Sequence, residues 1–177
     1  MTTIKDDLIQ IAMQKVQESG INSLTIRELG ETVGIKSSSV MYHFKSKNGL
    51  LQELIKSYRK EFGIYLEELN TKYDDQFTRL DKFIDAFEMP LKDGKFCLAG
   101  VFAAENKSLD LTTAQLTGDF FVFVEDWISL NLIGCENPKE MAGVILSSLE
   151  GAMMLDKLNE NTERLDGVRR WIKSLPI

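Results

Sequence analysis

Apolar residues recur every three or four positions along almost the whole chain, and nowhere do they alternate with the period of two that marks a half-buried strand. The first stripe is Ile4, Leu8, Ile11, Ala12 and Val16; Asp6 and Asp7 occupy its first turn, where the helix dipole favours acids, and Gly20 supplies a stop. Thr25-Ile26-Arg27-Glu28 has the form of a capping box, with the Thr25 hydroxyl taking a first-turn amide and Glu28 reaching back. Gly34 ends that short helix, and residues 37–44 predict another. Ser46 is a suitable cap for a long fourth helix, whose stripe runs Leu50, Leu51, Leu54, Ile55, Tyr58, Phe62, Leu66 and Leu69.

Further along, the same periodicity predicts helices over 74–88, 96–106, 113–132, 139–158 and 163–175. The connections at 89–95, 107–112 and 134–138 are short, as they are between neighbours in a bundle. Pro90, Pro138 and Pro176 coincide with breaks in the pattern. The expected fold class is therefore all-α, without internal repeats or low-complexity tracts.

Composition narrows the function classes. With 44% hydrophobic and 27% charged residues, the 177-residue chain has enough apolar material for a core. Its longest tight apolar cluster, 120–124, is far short of the roughly 18 residues of a membrane span. Asp6 and Asp7 stand where an export signal needs a basic and then an apolar stretch, so a cytoplasmic protein is expected. Two cysteines, Cys97 and Cys135, and one histidine, His43, supply neither a disulfide framework nor a metal-ligand set, and no cofactor is expected.

Charge is unevenly spread. Residues 1–60 hold nine Lys/Arg and six Asp/Glu, a net of +3; residues 61–177 hold twelve and twenty-one, a net of −9; the whole chain is −6. A basic head on an acidic body suits a nucleic-acid-binding module joined to a non-binding one.

The head has the matching helix pattern. Three short helices, the last two joined by a tight Gly-containing turn, form the arrangement of a helix-turn-helix. Ile26, Leu29, Val33, Ile35, Val40 and Phe44 are placed to pack the two helices together, and Gly30 suits a close helix crossing. The polar remainder of the third helix is Lys36, Ser37, Ser38, Ser39, Tyr42 and His43; hydroxyls and unpaired amides at a helix N-terminus favour phosphates and base edges. Lys47, with Lys45, is placed to neutralise a further phosphate. None of this chemistry makes or breaks a bond: His43 has no Ser, Cys or carboxylate fixed beside it by spacing, so an enzyme is not expected.

The stretch from Thr25 to Leu51, with Gly34-Ile35, Met41-Tyr42-His43-Phe44 and Ser46-Lys47, resembles the DNA-binding domain of the TetR family of bacterial repressors. The resemblance is strong over residues 4–55 and extends beyond only by helix order and length. It implies an N-terminal helix-turn-helix domain over 1–46, a connecting helix over 47–70, and a ligand-binding and dimerisation bundle over 71–177. Thr25, Arg27, Ser37, Ser39, Tyr42, His43 and Lys47 fall at positions that commonly touch DNA in that family. Met41 departs from the family's usual Tyr, and Asn48 from its usual acidic residue.

In the C-terminal region the resemblance implies an effector cavity lined by some of Phe62, Phe83, Phe87, Phe102, Phe123, Trp127 and Met153. Cys97, in a Gly-Lys-Phe-Cys-Leu-Ala stretch similar to one subgroup with electrophile-sensing members, is either a reactive thiol favoured by Lys95 and a helix start or a small buried residue. Gly143, Ser147 and Gly151 put small residues on one helix face, where another helix can approach closely. With Val144, Leu155, Leu158, Trp171 and Ile172 nearby, the resemblance makes this face a two-fold dimer interface.

The expected function is a homodimeric, ligand-responsive regulator, a repressor that binds palindromic double-stranded operator DNA and is released by a small apolar or electrophilic effector. No membrane partner is expected. The alternative is a dimeric helical interaction module that has lost sequence-specific DNA binding, supported by Met41 and the modest head charge.

Overall fold

The helices alternate with tight turns throughout. The computed structural model describes residues 3–176, and among them are nine α-helices, two 3₁₀ turns and no strand, as the periodicity predicts. They are α1 (Ile4–Ser19), α2 (Ile26–Val33), α3 (Ser37–Phe44), α4 (Lys47–Lys72), α5 (Gln76–Lys92), α6 (Leu98–Ala104), α7 (Leu111–Leu130), α8 (Pro138–Asn159) and α9 (Glu163–Lys173), with 3₁₀ turns at Ile21–Ser23 and Asn106–Ser108. No helix among the described residues is long and apolar enough to cross a membrane.

Several helix ends differ from the sequence reading, and two of the differences have identifiable reasons. α5 runs through Pro90 to Lys92 instead of stopping at 88. Proline in a last turn removes only one ladder bond, and the Pro90 carbonyl accepts the N–H groups of Asp93 and Lys95 to close the helix. α6 is shorter than 96–106, because the chain tightens after Glu105 into i→i+3 bonds, Ser108 to Glu105 and Leu109 to Asn106. The expected capping box at Thr25 is half formed: Thr25 Oγ1 accepts from the Glu28 N–H at 3.2 Å, but the Glu28 carboxylate pairs with Lys15 at 2.8 Å. The full box lies at the start of α1, between Thr3 and Asp6.

The chain packs as two units, Met1–Lys60 with Leu98–Phe120, and Glu61–Cys97 with Phe121–Ile177. α4 and α7 contribute residues to both. In the first unit Leu8, Ala12, Val16, Leu24, Leu29, Val40, Leu50, Leu54 and Phe102 are buried. Its α2 and α3 meet at Gly30, where a Cβ would stand 2.8 Å from the Ile35 carbonyl oxygen; the close crossing expected of Gly30 is present.

The second unit is centred on Phe83, which packs edge-on against Phe62 and Phe87 at 6.2 and 5.5 Å between ring centroids and lies 5.3 Å from Trp127. The Trp127 indole N–H donates to Asn70 Oδ1 at 3.0 Å, satisfying the polar edge of a buried ring. α5 and α9 are tied by Arg169, whose guanidinium donates to Asp81, Asp85 and Glu88 at 3.0, 2.8 and 2.9 Å while Lys173 also pairs with Asp81. Burial pushes the Asp81 carboxyl up, but Lys173 and Arg169 outweigh it and hold the group below the usual carboxylate range.

Candidate functional site

The turn after α1 is held from two directions within the first unit. The Ile21 N–H donates to Glu105 Oε1 at 3.2 Å, and the Ile21 carbonyl accepts from Lys47 Nζ at 3.0 Å. Lys47 thus has a structural partner that the sequence did not disclose, although an ammonium has three donors and one bond leaves others for solvent or phosphate. Glu105 was missed altogether; its position ten residues after Lys95 carries no local signal for a contact 84 positions away.

α3 presents a polar face. Lys36, Ser37, Ser38 and Ser39 are exposed, and no side chain caps the α3 N-terminus, so its first amides have no side-chain acceptor. Tyr42 is 74% exposed, its ring 4.9 Å from Lys45 Nζ and edge-on to His43 at 5.7 Å. His43 is half-buried, and Met41 is exposed beside Tyr42. On α2, Thr25 caps the helix and Arg27 is exposed, paired with Glu31 across one turn at 2.9 Å. Thr25, Arg27, Lys36, Ser37, Ser38, Ser39 and Tyr42 therefore all lie at the surface of one unit, as does Lys45.

The α3–α4 joint that aims this face is unusually tight. Lys45 closes α3 with φ 66, and Ser46 Oγ accepts the Gly49 N–H at 2.9 Å. A Cβ on Gly49 would lie 2.1 Å from the Phe44 carbonyl oxygen, so no side chain fits there. The sequence shows Gly49 only as a glycine in a helix, where its cost is visible and its necessity is not.

Of the predicted effector residues, Phe62, Phe83, Phe87, Cys97, Trp127 and Met153 are buried in the second unit and Phe123 is half-buried there, whereas Phe102 is buried in the first. Lys95 pairs with Asp93 at 3.9 Å, and a polar neighbour of Cys97 is the carboxyl of Glu150. Neither Glu150 oxygen is exposed or, apart from the Cys97 thiol, has a hydrogen-bond partner. Burial pushes this carboxyl up to about 7, against a smaller lowering by Cys97. Glu150 was missed by sequence reasoning; the available signal was an acid interrupting the apolar spacing of Leu146 and Met153.

Two open grooves on the second unit are lined by other residues. One of about 390 Å³ lies among Cys135, Asn137, Met141 and Leu175, and one of about 540 Å³ among Leu91, Gly94, Lys157 and Thr162. On α8, Ser147, Gly151, Leu155 and Leu158 are exposed, Gly143 is half-buried, and Trp171 on α9 is half-buried. Among the described residues, no three His, Cys, Asp or Glu side chains are grouped to hold a metal.

Residues 8–54 match the family described as bacterial regulatory proteins, tetR family. The crystal structure of a TetR transcriptional regulator from Legionella pneumophila superposes with a TM-score of 0.93 at 26% identity, over 98% of this chain and 97% of that one. Residues 8–54 thus match the TetR DNA-binding domain, and the chain as a whole has the fold of a TetR transcriptional regulator.

Other relatives agree. The HTH-type transcriptional repressor KstR2 of Mycolicibacterium smegmatis is 26% identical over 112 residues, 63% of this chain and 46% of the relative. The chain thus spans less than half the length of the curated KstR2 relatives it matches. A TetR-family regulator from Agrobacterium tumefaciens shares the fold with a TM-score of 0.90 at 23% identity, over 97% and 96% of the two chains. The family match covers α2, α3 and the joint at Gly49, so the segment described as the polar face is the segment the family has in common.

Proposed function

We propose that this chain is a ligand-responsive transcriptional regulator of the TetR family, a repressor that binds palindromic operator DNA as a homodimer and is released by a small effector. The observation that carries the reading is the exposed N-terminal face of α3, Lys36 to Ser39 with Tyr42, fixed on a helix-turn-helix whose crossing only a glycine at position 30 permits. The uncapped amides and Lys36 favour phosphate, and Ser37, Ser38, Ser39 and Tyr42 have the reach and donors to read base edges. Thr25, Arg27, His43 and Lys47 contribute backbone contacts. Residues 1–46 are the reading head, 47–70 the connecting helix, and 71–177 the effector and dimerisation region.

The dimer face is the small and apolar surface of α8, Gly143, Ser147, Gly151, Leu155 and Leu158, with Trp171. Gly151 has nothing within 4 Å of where a Cβ would be. A two-fold dimer presents two heads to two half-sites, the symmetry an operator palindrome requires. The effector, apolar or electrophilic, acts on the ring cluster of Phe62, Phe83, Phe87 and Trp127, with Cys97, Phe123 and Met153; Phe102, in the first unit, is not part of that cluster. It shifts the DNA-competent population only by its differential affinity for the two states.

The test is a titration of purified protein with the DNA upstream of its own gene, at two salt concentrations and with random duplex as competitor. Tight binding that survives competitor and weakens steeply with salt is expected, with a log-log slope of about −0.9 per neutralised phosphate. Absent or salt-independent binding to every duplex overturns the reading. Weak binding equal for all duplexes favours the interaction module that no longer reads sequence.

A further inference from the structure

Glu150 is turned the opposite way from an ordinary surface acid. Long charged side chains on a helix edge usually bury the stem and hold the head in water. Here the residue as a whole is only half-buried, yet both carboxylate oxygens are shut from solvent and, apart from the Cys97 thiol beside them, have no hydrogen-bond partner. Leu146 and Met153, one turn before and after on α8, are 3% and 0% exposed, and Cys97 is 5% exposed. A thiol is a weak donor and does not satisfy a carboxylate. An acid buried without strong donors is costly, and no cation among the described residues acts on its carboxyl.

We propose that Glu150 is the recognition point for a small organic cation, an ammonium group carried on an apolar or aromatic body, bound in the second unit beside Cys97 and Met153. An ionised carboxylate only accepts hydrogen bonds, so its complement is a donor, and a cationic donor also cancels the buried charge. The apolar neighbours suit a hydrophobic body. The charge of the unit agrees: its residues 61–97 and 121–177 hold eighteen Asp/Glu and eleven Lys/Arg, a net of −7, which concentrates cations and repels anionic ligands. This assignment rests on the effector-responsive reading above and names the chemical class of its ligand.

Three probes with one ring system separate the head groups: naphthylmethylamine, naphthylmethanol and naphthylacetate. Each is titrated calorimetrically into the full chain at pH 7.5 without DNA. The amine is expected to bind about tenfold or more tighter than the alcohol, the order of one charge-assisted hydrogen bond, with the acetate weakest. In Glu150→Gln the amine falls to the level of the alcohol while the alcohol is unchanged, and Glu150→Asp recovers part of the preference. Equal binding of amine and alcohol, tightest binding of the acetate, no binding of any probe, or a preference that survives Glu150→Gln overturns the proposal. The comparison of probes on the parent protein stands even if a variant fails to fold. Operator titration without probe is read separately, so loss of the regulator reading and loss of the cation site give different results.

Discussion

The carboxylate of Asp156, near the end of α8, accepts the backbone N–H of Leu165, in the first turn of α9, at 2.9 Å. It also accepts the Arg164 N–H at 3.0 Å and the Arg164 guanidinium at 3.1 Å, so a side chain with no solvent exposure is surrounded by donors. The residue at the nominal cap, Thr162, makes no side-chain cap bond. Asp156 therefore starts α9 from nine positions upstream and fixes the α8–α9 turn. Asp156→Ala strands two amides and an arginine and is expected to cost about 2–4 kcal/mol, with Asp156→Asn costing roughly half as much. Urea melts at one fixed protein concentration check this, since an assembling protein has a concentration-dependent midpoint.

Two glycines in helices are expected to respond oppositely to alanine. At Gly118 on α7 nothing lies within 4 Å of the added Cβ, so Gly118→Ala gains helix propensity, about 0.5–1 kcal/mol. At Gly49 the Cβ would meet the Phe44 carbonyl oxygen at 2.1 Å, and the α3–α4 joint must open. Gly49→Ala is expected to destabilise by about 2 kcal/mol or more, the range of a strained or overpacked core site. Thermal melts of both variants against the parent decide it; equal stability for Gly49→Ala removes the tight joint.

How legible this was in the sequence depended on whether the information was local. The α3 bounds and the Gly34 stop follow from spacing and caps a few residues apart, and they match. Pro90 misled because a breaker is tolerated in a last turn, and its carbonyl partners Asp93 and Lys95 are defined only once the helix exists. The exposed face of Lys36, Ser37, Ser38 and Ser39 was readable, since polar positions on an amphipathic helix point outward. Contacts over long separations were not. Glu105 reaching Ile21, Asp156 capping α9 and Glu150 turned inward each required knowing which elements pack together.

Glu150 gives a pH dependence with a definite sign. Its carboxyl is raised from the ordinary 4.5 to about 7 by burial, so the folded chain holds a proton that the unfolded chain releases. Its contribution to stability is present below about 4.5, falls as pH rises through the folded value near 7, and is level above it. The swing is on the order of 3 kcal/mol. Glu150→Gln, which imitates the protonated acid, is expected to match the parent at pH 4.5 and exceed its stability at pH 8. Denaturant melts at the two pH values, with Cys97 kept reduced, test it; an equal gap between the proteins at both removes the buried acid as the cause.

The exposed α8 face gives a prediction about assembly. Gly151 is open and lies in the row with Ser147, Leu155 and Leu158, so a large cation there spoils a close helix crossing without disturbing the single chain. If the proposed α8 interface forms, the parent is expected to sediment as a dimer and Gly151→Arg as a monomer. Gly118→Arg, on an open position of the first unit, is expected to leave the dimer intact.

Lys47 has two roles that one variant can separate. Its ammonium supports the Ile21 carbonyl, and in the proposed complex it also meets a phosphate. Lys47→Met is expected to lower head stability by about 1 kcal/mol through the lost hydrogen bond. A phosphate contact adds a signature that a loosened head does not produce: binding to operator and random duplex weakens alike, and the salt slope shrinks by about 0.9. Ser37→Ala and Ser39→Ala should instead change the preference between duplexes and leave the slope as it was. An unchanged slope in Lys47→Met, with affinity lost only for the operator, would assign Lys47 wholly to holding the α1–α2 turn, and Lys36 and Lys45 would then be the cations to replace.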